Sequence, residues 1–160
     1  MRRLILMRHG EAERPRPGLE DFDRSLDDEG RAEARRMGQA LASAGYVPDL
    51  ALVSAARRTL ETWAGAAAAF PHDVHVEQRR GLYAASVMTL SASVAEAGER
   101  SSTVMLVGHN PGVQQYAAYL AQQAGAARID RFPTGSAAVF AFDEAGAPRL
   151  EAMLTARDLR

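Results

Sequence analysis

The rest of the chain is organised around one stretch of sequence, Leu4-Ile5-Leu6-Met7-Arg8-His9-Gly10-Glu11. Its four leading apolar residues form a short run that predicts a buried parallel strand. Arg8 and His9 follow at once, at the carboxyl end of that strand, which is where open α/β sheets bind ligands. Gly10 lets the backbone turn there. The stretch therefore predicts a cation beside an imidazole at the mouth of a sheet; the alternative is that His9 is a structural loop residue.

Length and composition narrow the class of protein. The chain has 160 residues, so we expect a single domain over residues 1–160. Its net charge of −1 gives no argument for nucleic-acid binding. It has no cysteine, which excludes disulfides and cysteine-based zinc or nucleophile chemistry. The first apolar run is too short for a signal peptide and no stretch reaches membrane-span length, so we expect a cytoplasmic protein.

Strand and helix signals alternate along the chain. Apolar runs predict strands at 4–7, 50–54, 74–76, 104–107, 136–142 and 150–154, the last two joined by a turn at 144–146. Amphipathic or alanine-rich segments, each followed by glycine or proline, predict helices at 27–44, 57–70, 86–97 and 112–124. This alternation predicts a three-layer α/β/α sandwich, with a mostly parallel central sheet and helices on both faces.

Polar side chains follow three of these strands where each one ends. Because the carboxyl ends of parallel strands share one edge of a sheet, we expect these residues to converge into an anion site. Plain alternatives exist for each: a surface arginine, a histidine in a turn, and an Asn110 that caps the helix beginning near Gly112. The three segments are Arg8-His9-Gly10, Ser54-Ala55-Ala56-Arg57-Arg58 and Gly108-His109-Asn110.

Two histidines and several arginines in one site favour phosphoryl transfer. That reaction needs positioning and charge neutralisation, and arginine supplies both. A histidine held neutral by neighbouring cations can attack phosphorus. The chain has no glycine-rich nucleotide motif and no acidic magnesium cluster, so we expect no metal and no cofactor.

The ordered motifs resemble those of the histidine phosphatase superfamily, which has the phosphoglycerate mutase-like fold, and most of all its small branch of bacterial phosphohistidine phosphatases. Arg8-His9-Gly10 matches the opening motif, whose histidine becomes phosphorylated. Residues 54–62 match a Ser-x-x-x-Arg-x-x-x-Thr motif, which places the catalytic arginine at Arg58. Gly108-His109-Asn110-Pro111 matches the third motif, whose histidine binds the phosphoryl oxygens.

A fourth segment extends the resemblance. Arg24-Ser25-Leu26-Asp27-x-x-Gly30 is similar to the Arg-Pro-Leu-Thr-x-x-Gly segment of the small branch, with Ser25 in place of the proline. The resemblance implies that Arg24 also faces the phosphate. Taken together it implies the catalytic set Arg8, His9, Arg58 and His109, and the phosphate-binding set Arg8, Arg24, Arg58, His109 and Asn110.

One departure from the family pattern bears on the substrate. Many members carry a proton-donating glutamate just after the third strand, whereas residues 78–83 here contain no carboxylate and Glu77 lies on the strand side. An alkyl ester needs such an acid more than a phosphoramidate does. The resemblance therefore implies a phosphohistidine phosphatase rather than a sugar phosphatase. No long insertion builds a lid over the expected site.

The sequence thus predicts a metal-independent phosphatase that acts on a phosphohistidine-bearing signalling or phosphotransfer protein. We expect His9 to be the nucleophile, and a cationic His109 to be the stabiliser and a possible proton donor. We expect a monomer that binds neither nucleic acid nor membrane. Two alternatives stay open: a small-molecule phosphomonoesterase, with a small phosphate ester as its partner, and a non-catalytic module that binds phosphoproteins.

Overall fold

A computed structural model describes residues 1–160. Its strands are β1 (Arg3–Arg8), β2 (Leu50–Ser54), β3 (His75–Arg79), β4 (Thr103–Gly108), β5 (Ala137–Phe142) and β6 (Pro148–Leu154). Its helices are α1 (Asp28–Ser43), α2 (Arg57–Ala67), α3 (Val87–Gly98) and α4 (Gly112–Gln123). Three single 3-10 turns lie at Asp21–Asp23, Arg80–Leu82 and Ala156–Leu159.

The six strands form one sheet in the order β3-β2-β4-β1-β5-β6. The first four are parallel to one another, whereas β5 runs antiparallel to β1 and β6 antiparallel to β5. The last two strands form a hairpin because their connection is a short turn, in which Gly146 has a φ of 83°. The predicted mostly parallel sheet is confirmed.

Helices cover both faces of the sheet. On β1, Leu4 and Leu6 belong to the apolar core that contains α3 and α4, while Ile5 and Met7 belong to the core that contains α1 and α2. Successive strand residues point to opposite faces, so a continuous apolar run serves both cores. This arrangement confirms the three-layer α/β/α sandwich. None of the helices is both long enough and apolar enough to cross a bilayer.

Most predicted boundaries lie within one or two residues of those in the structure, and the largest differences are at the ends of β3 and α2. Strand β3 covers His75–Arg79 rather than 74–76. It is an edge strand that pairs only with β2. Its exposed polar residues carry no apolar signal from which its length could be predicted. Helix α2 ends at Ala67 rather than Phe70, and the residues that follow turn back before Pro71.

A close backbone contact fixes the loop after β1. A Cβ on Gly10 would lie 2.5 Å from the carbonyl oxygen of Gly30, and a Cβ on Gly30 would lie 1.9 Å from that of Glu11. Helix α1 can therefore approach this loop only with glycine at both positions. At the start of α1, the side chain of Asp27 caps the helix by accepting a hydrogen bond of 2.8 Å from the Gly30 N–H.

Candidate active site

The strand ends that carry the predicted site residues lie side by side. Arg8 at the end of β1 pairs with Gly108 at the end of β4, and Val53 of β2 pairs with Val107 of β4. The ring centroids of His9 and His109 are 5.4 Å apart. The segments identified in the sequence therefore meet at one edge of the sheet.

His9 presents one ring nitrogen to a guanidinium group. Its Nδ1 lies 2.7 Å from the carbonyl oxygen of Gly10, which accepts only from a protonated nitrogen and so fixes the tautomer. Its Nε2 then has a free lone pair, which accepts a hydrogen bond of 3.3 Å from Arg58 Nε. Burial, reinforced by the charges of Arg58, Arg8 and Arg24, lowers the pKa of His9 to about 4. The ring is thus neutral at ordinary pH, with an unprotonated Nε2 directed at Arg58.

The two adjacent arginines at the start of α2 have different surroundings. Arg58 is buried against His9, and its Nη1 and Nη2 donate to the carbonyl and carboxylate oxygens of Asp21. Arg57 points outward and pairs with Glu61 at 3.5 Å across one turn of the helix. The structure therefore places Arg58, and not Arg57, in the site.

His109 contacts the end of β2. Its Nε2 lies 2.8 Å from Ser54 Oγ, which also accepts a weak hydrogen bond of 3.4 Å from the Ala56 N–H. The only acceptor within reach of the Ser54 hydroxyl proton is Nε2 of His109. We therefore assign Nε2 as the acceptor, which places the ring proton of His109 on Nδ1. Nδ1 is buried and has no hydrogen-bond partner in the protein. A buried donor of this kind is a natural contact for an oxyanion.

The expectation of a cationic His109 is wrong for the free protein. Burial, and then the nearby His9 and Arg58, lower the pKa of His109 to about 3. The sequence placed this histidine near a helix N-terminus, but it did not reveal how deeply the ring is buried. His109 is therefore a neutral hydrogen-bond donor, and it holds no surplus proton for a leaving group.

Arg8 and Asn110 share one backbone acceptor. The carbonyl oxygen of Phe132 accepts from Arg8 Nη1 at 3.2 Å and from Asn110 Nδ2 at 3.0 Å. The Nε of Arg8 is buried without a hydrogen-bond partner in the protein, as is the Nδ1 of His109. Asn110 Oδ1 accepts from the Gln114 N–H at 3.3 Å. Asn110 thus makes the helix-capping contact that was its alternative role.

Arg24 reaches the site from the loop before α1. Its Nε donates to Asp21 Oδ1 at 2.9 Å and its Nη1 to the carbonyl oxygen of Glu13 at 2.7 Å. Its charge contributes to the lowered pKa of His9. The structure therefore brings Arg24 to the rim of the site, with its guanidinium held by Asp21.

Two site residues were missed in the sequence. Asp21 lies in the first 3-10 turn, and its carboxylate accepts hydrogen bonds from Arg24, from Arg58 and from the Tyr83 hydroxyl. Tyr83 follows the second 3-10 turn, and its ring packs edge-on against His109 with centroids 5.3 Å apart. Neither residue belongs to a periodic pattern. The only sequence signal for Asp21 is its position three residues before Arg24.

Neighbouring arginines hold the Glu77 and Asp21 side chains as carboxylates, so neither is a proton donor. Arg100 and Arg79 hold the pKa of Glu77 at about 2, and this ion-pair cluster lies on the edge strand β3. Hydrogen bonds from Tyr83, and then from Arg24 and Arg58, keep the pKa of the Asp21 carboxyl well below its usual range. The structure also places no group of three or more His, Asp or Glu side chains where they would hold a metal ion.

Two neutral imidazoles and three arginines at the edge of an α/β sheet are groups suited to contact a phosphoryl group. The family model described as histidine phosphatase superfamily (branch 1) matches residues 4–83, which include the Arg8-His9-Gly10 motif and Arg58. The chain belongs to the histidine phosphatase superfamily, and its class is that of a phosphatase.

Similar proteins agree with this assignment. A protein from Agrobacterium tumefaciens described as a phosphohistidine phosphatase SixA is 31% identical and superposes with a TM-score of 0.86 over 96% of this chain and 97% of that one. The protein histidine phosphatase SixA complexed with tungstate has the same fold, with a TM-score of 0.83 over 99% of both chains at 23% identity. An uncharacterised chloroplast protein of Arabidopsis thaliana is 30% identical over 96% of this chain and 77% of its own length.

Proposed function

We propose that this protein is a metal-independent phosphohistidine phosphatase that works through a phosphorylated His9. The observation that carries the proposal is the orientation of His9, whose Nδ1 is bound to the Gly10 carbonyl while Nε2 faces Arg58. In the first step Nε2 forms a bond to phosphorus as the bond between phosphorus and the substrate nitrogen breaks, and the substrate ring leaves as neutral imidazole because its other nitrogen carries a proton taken from solvent. In the second step water attacks phosphorus, the bond to Nε2 breaks and phosphate leaves.

Four side chains are available to neutralise the phosphoryl oxygens. Arg8 and His109 each carry a buried N–H donor without a partner in the protein, while Arg58 and Arg24 contribute charge. Fixed donors and cations of this kind stabilise a phosphoryl group in transfer without further reorganisation. The tungstate bound in the relative SixA is an oxyanion, which supports an oxyanion site in this fold.

The surroundings of the carboxyl groups support a phosphohistidine substrate. An alkoxide is a poor leaving group without a proton donor, and both Glu77 and Asp21 are held as carboxylates by arginines. Imidazole is stable once released, so phosphohistidine needs less help. We infer that a phosphohistidine-bearing signalling or phosphotransfer protein is the partner, which agrees with the description of the Agrobacterium relative.

A substrate panel tests the proposal. The protein is incubated with excess EDTA and with each of three substrates: phosphohistidine, p-nitrophenyl phosphate and a sugar phosphate. We expect turnover of phosphohistidine to be fastest and that of the sugar phosphate to be slowest, since only the last has an alkoxide leaving group. A preference for the sugar phosphate would instead indicate a small-molecule phosphatase. Binding of phosphohistidine without turnover of any substrate would indicate a non-catalytic module.

The low pKa of His9 predicts how its charge depends on pH. An ordinary histidine is largely protonated below pH 6.5, but His9 should stay neutral down to about pH 4 because it is buried beside Arg58. Its ring resonances, assigned by their loss in His9→Ala, should therefore titrate with a midpoint near 4. A midpoint near 6.5 would contradict the proposed environment of the nucleophile.

A further inference from the structure

Asp21 accepts hydrogen bonds from several of the polar side chains around the site. Its carboxylate accepts from Arg24 Nε at 2.9 Å, from Arg58 Nη2 at 3.1 Å and from the Tyr83 hydroxyl, and its backbone carbonyl accepts from Arg58 Nη1 at 2.7 Å. The three side chains come from three separate segments of the chain. One residue therefore ties together two proposed phosphate ligands and the tyrosine that packs on His109.

The guanidinium of Arg58 contacts Asp21 and His9 through two different edges. Its end, formed by Nη1 and Nη2, contacts the carbonyl and the carboxylate of Asp21. Its side, where the Nε–H points, faces Nε2 of His9 at 3.3 Å. A planar guanidinium can engage two acceptors at once in this way. With the end held by Asp21, the Nε–H on the side edge stays directed at Nε2 of His9.

We propose that Asp21 is a positioning residue for the phosphatase reaction, which fixes the side edge of the Arg58 guanidinium toward the phosphoryl group attacked by His9. The inference rests on the proposed function of the same site. Asp21 acts through Arg58 and makes no hydrogen bond to His9.

Two other roles fit Asp21 less well. It is no proton donor, because its three hydrogen-bond donors keep its pKa well below the usual range. It is no core residue either: its side chain is 49% exposed, and no residue of its 3-10 turn is buried. Competition with phosphate for Arg58 is the remaining alternative, and it predicts the opposite change in rate when the carboxylate is removed.

The kinetic test compares Asp21→Ala and Asp21→Asn with Asp23→Asn. Asp23 is exposed in the same 3-10 turn and makes no side-chain hydrogen bond or ion pair, so it is a matched control. We expect kcat for phosphohistidine to fall about 10²-fold in Asp21→Ala, the loss that follows from a misplaced catalytic group. Asp21→Asn keeps an acceptor oxygen and should lose less, and Asp23→Asn should match the wild type. A kcat for Asp21→Ala within twofold of the wild type, or above it, would overturn the proposal.

A second measurement separates positioning from other causes of a lower rate. The Nε–H resonance of Arg58, assigned by its absence in Arg58→Lys, reports directly on the order of this side chain. We expect it to be sharp in the wild type and in Asp23→Asn but broadened in Asp21→Ala, with the backbone amide spectrum preserved. An equally ordered Arg58 in Asp21→Ala would overturn the positioning role, even if kcat fell.

These two measurements distinguish failure of this inference from failure of the proposed function. If the wild type turns over no substrate, the proposed function fails, and the order of Arg58 alone then decides whether Asp21 positions it. Should Asp21→Ala lose its dispersed amide spectrum, Asp21→Asn serves in its place, with partial loss of kcat and partial mobility of Arg58 as the expected result.

Discussion

Substitution of His9 by alanine should abolish both turnover and covalent labelling of the protein by substrate. The reason is that Nε2 of His9 is the atom that bonds to phosphorus in the proposed reaction, and no second nucleophile is equally placed. His109, the other imidazole nearby, directs its Nε2 at Ser54. Brief exposure to radiolabelled phosphohistidine, followed by denaturation, should yield an acid-labile and base-stable label on the wild type and none on His9→Ala.

Two further variants make the His9 result interpretable. His72→Ala removes an exposed histidine that bonds only to the neighbouring Asp73 carbonyl, and it should label as the wild type does. His9→Gln keeps a polar side chain in the buried position, and it should be inactive while unfolding at a temperature close to that of the wild type. Persistence of the label in His9→Ala would show that another residue is the nucleophile.

Substitution of His109 by alanine should slow labelling strongly without eliminating it. The change removes the buried Nδ1 donor that we assign to a phosphoryl oxygen but leaves His9 and Arg58 in contact. Loss of one donor to a developing negative charge costs about 10²–10³ in rate. We therefore expect rapid-quench labelling to be slower by this factor, with a final label that is still detectable on His9.

The control for His109 is His75→Ala, since that ring is exposed on the edge strand β3 and lies 3.4 Å from Glu77. It should leave the labelling rate unchanged. If His109→Ala carried no label at all while His9→Ala did, the roles of the two histidines would be reversed. If His109→Ala labelled as fast as the wild type, its donor would have no part in the transition state.

The meeting of His9, Arg58 and His109 could be predicted because it follows from regular structure. Each residue comes shortly after a strand with a recognisable apolar run, and parallel neighbours present such positions at one edge of the sheet. The sandwich itself was predictable for the same reason. The catalytic roles of these residues remain predictions, which the labelling experiments address.

Asp21 and Tyr83 could not be predicted, because they lie on isolated 3-10 turns and meet across 62 residues of sequence. A polar loop has no periodicity from which its partners can be deduced. The predicted positive charge of His109 was wrong for a related reason. Protonation depends on burial and on neighbours such as His9, and these exist only in the folded chain.

The position of β1 in the sheet also has a consequence for how the chain folds. This strand comes first in the sequence, yet its two neighbours are β4 and β5, which begin at Thr103 and Ala137. During synthesis its apolar run therefore has no partner on either side until the residues of β4, from Thr103 onward, have been made. Such non-local pairing slows folding. Until it forms, the apolar segment is exposed and can bind chaperones or aggregate. Strand β1, which directly precedes the proposed nucleophile His9, thus gains its two neighbours only after β4 and β5 have been made.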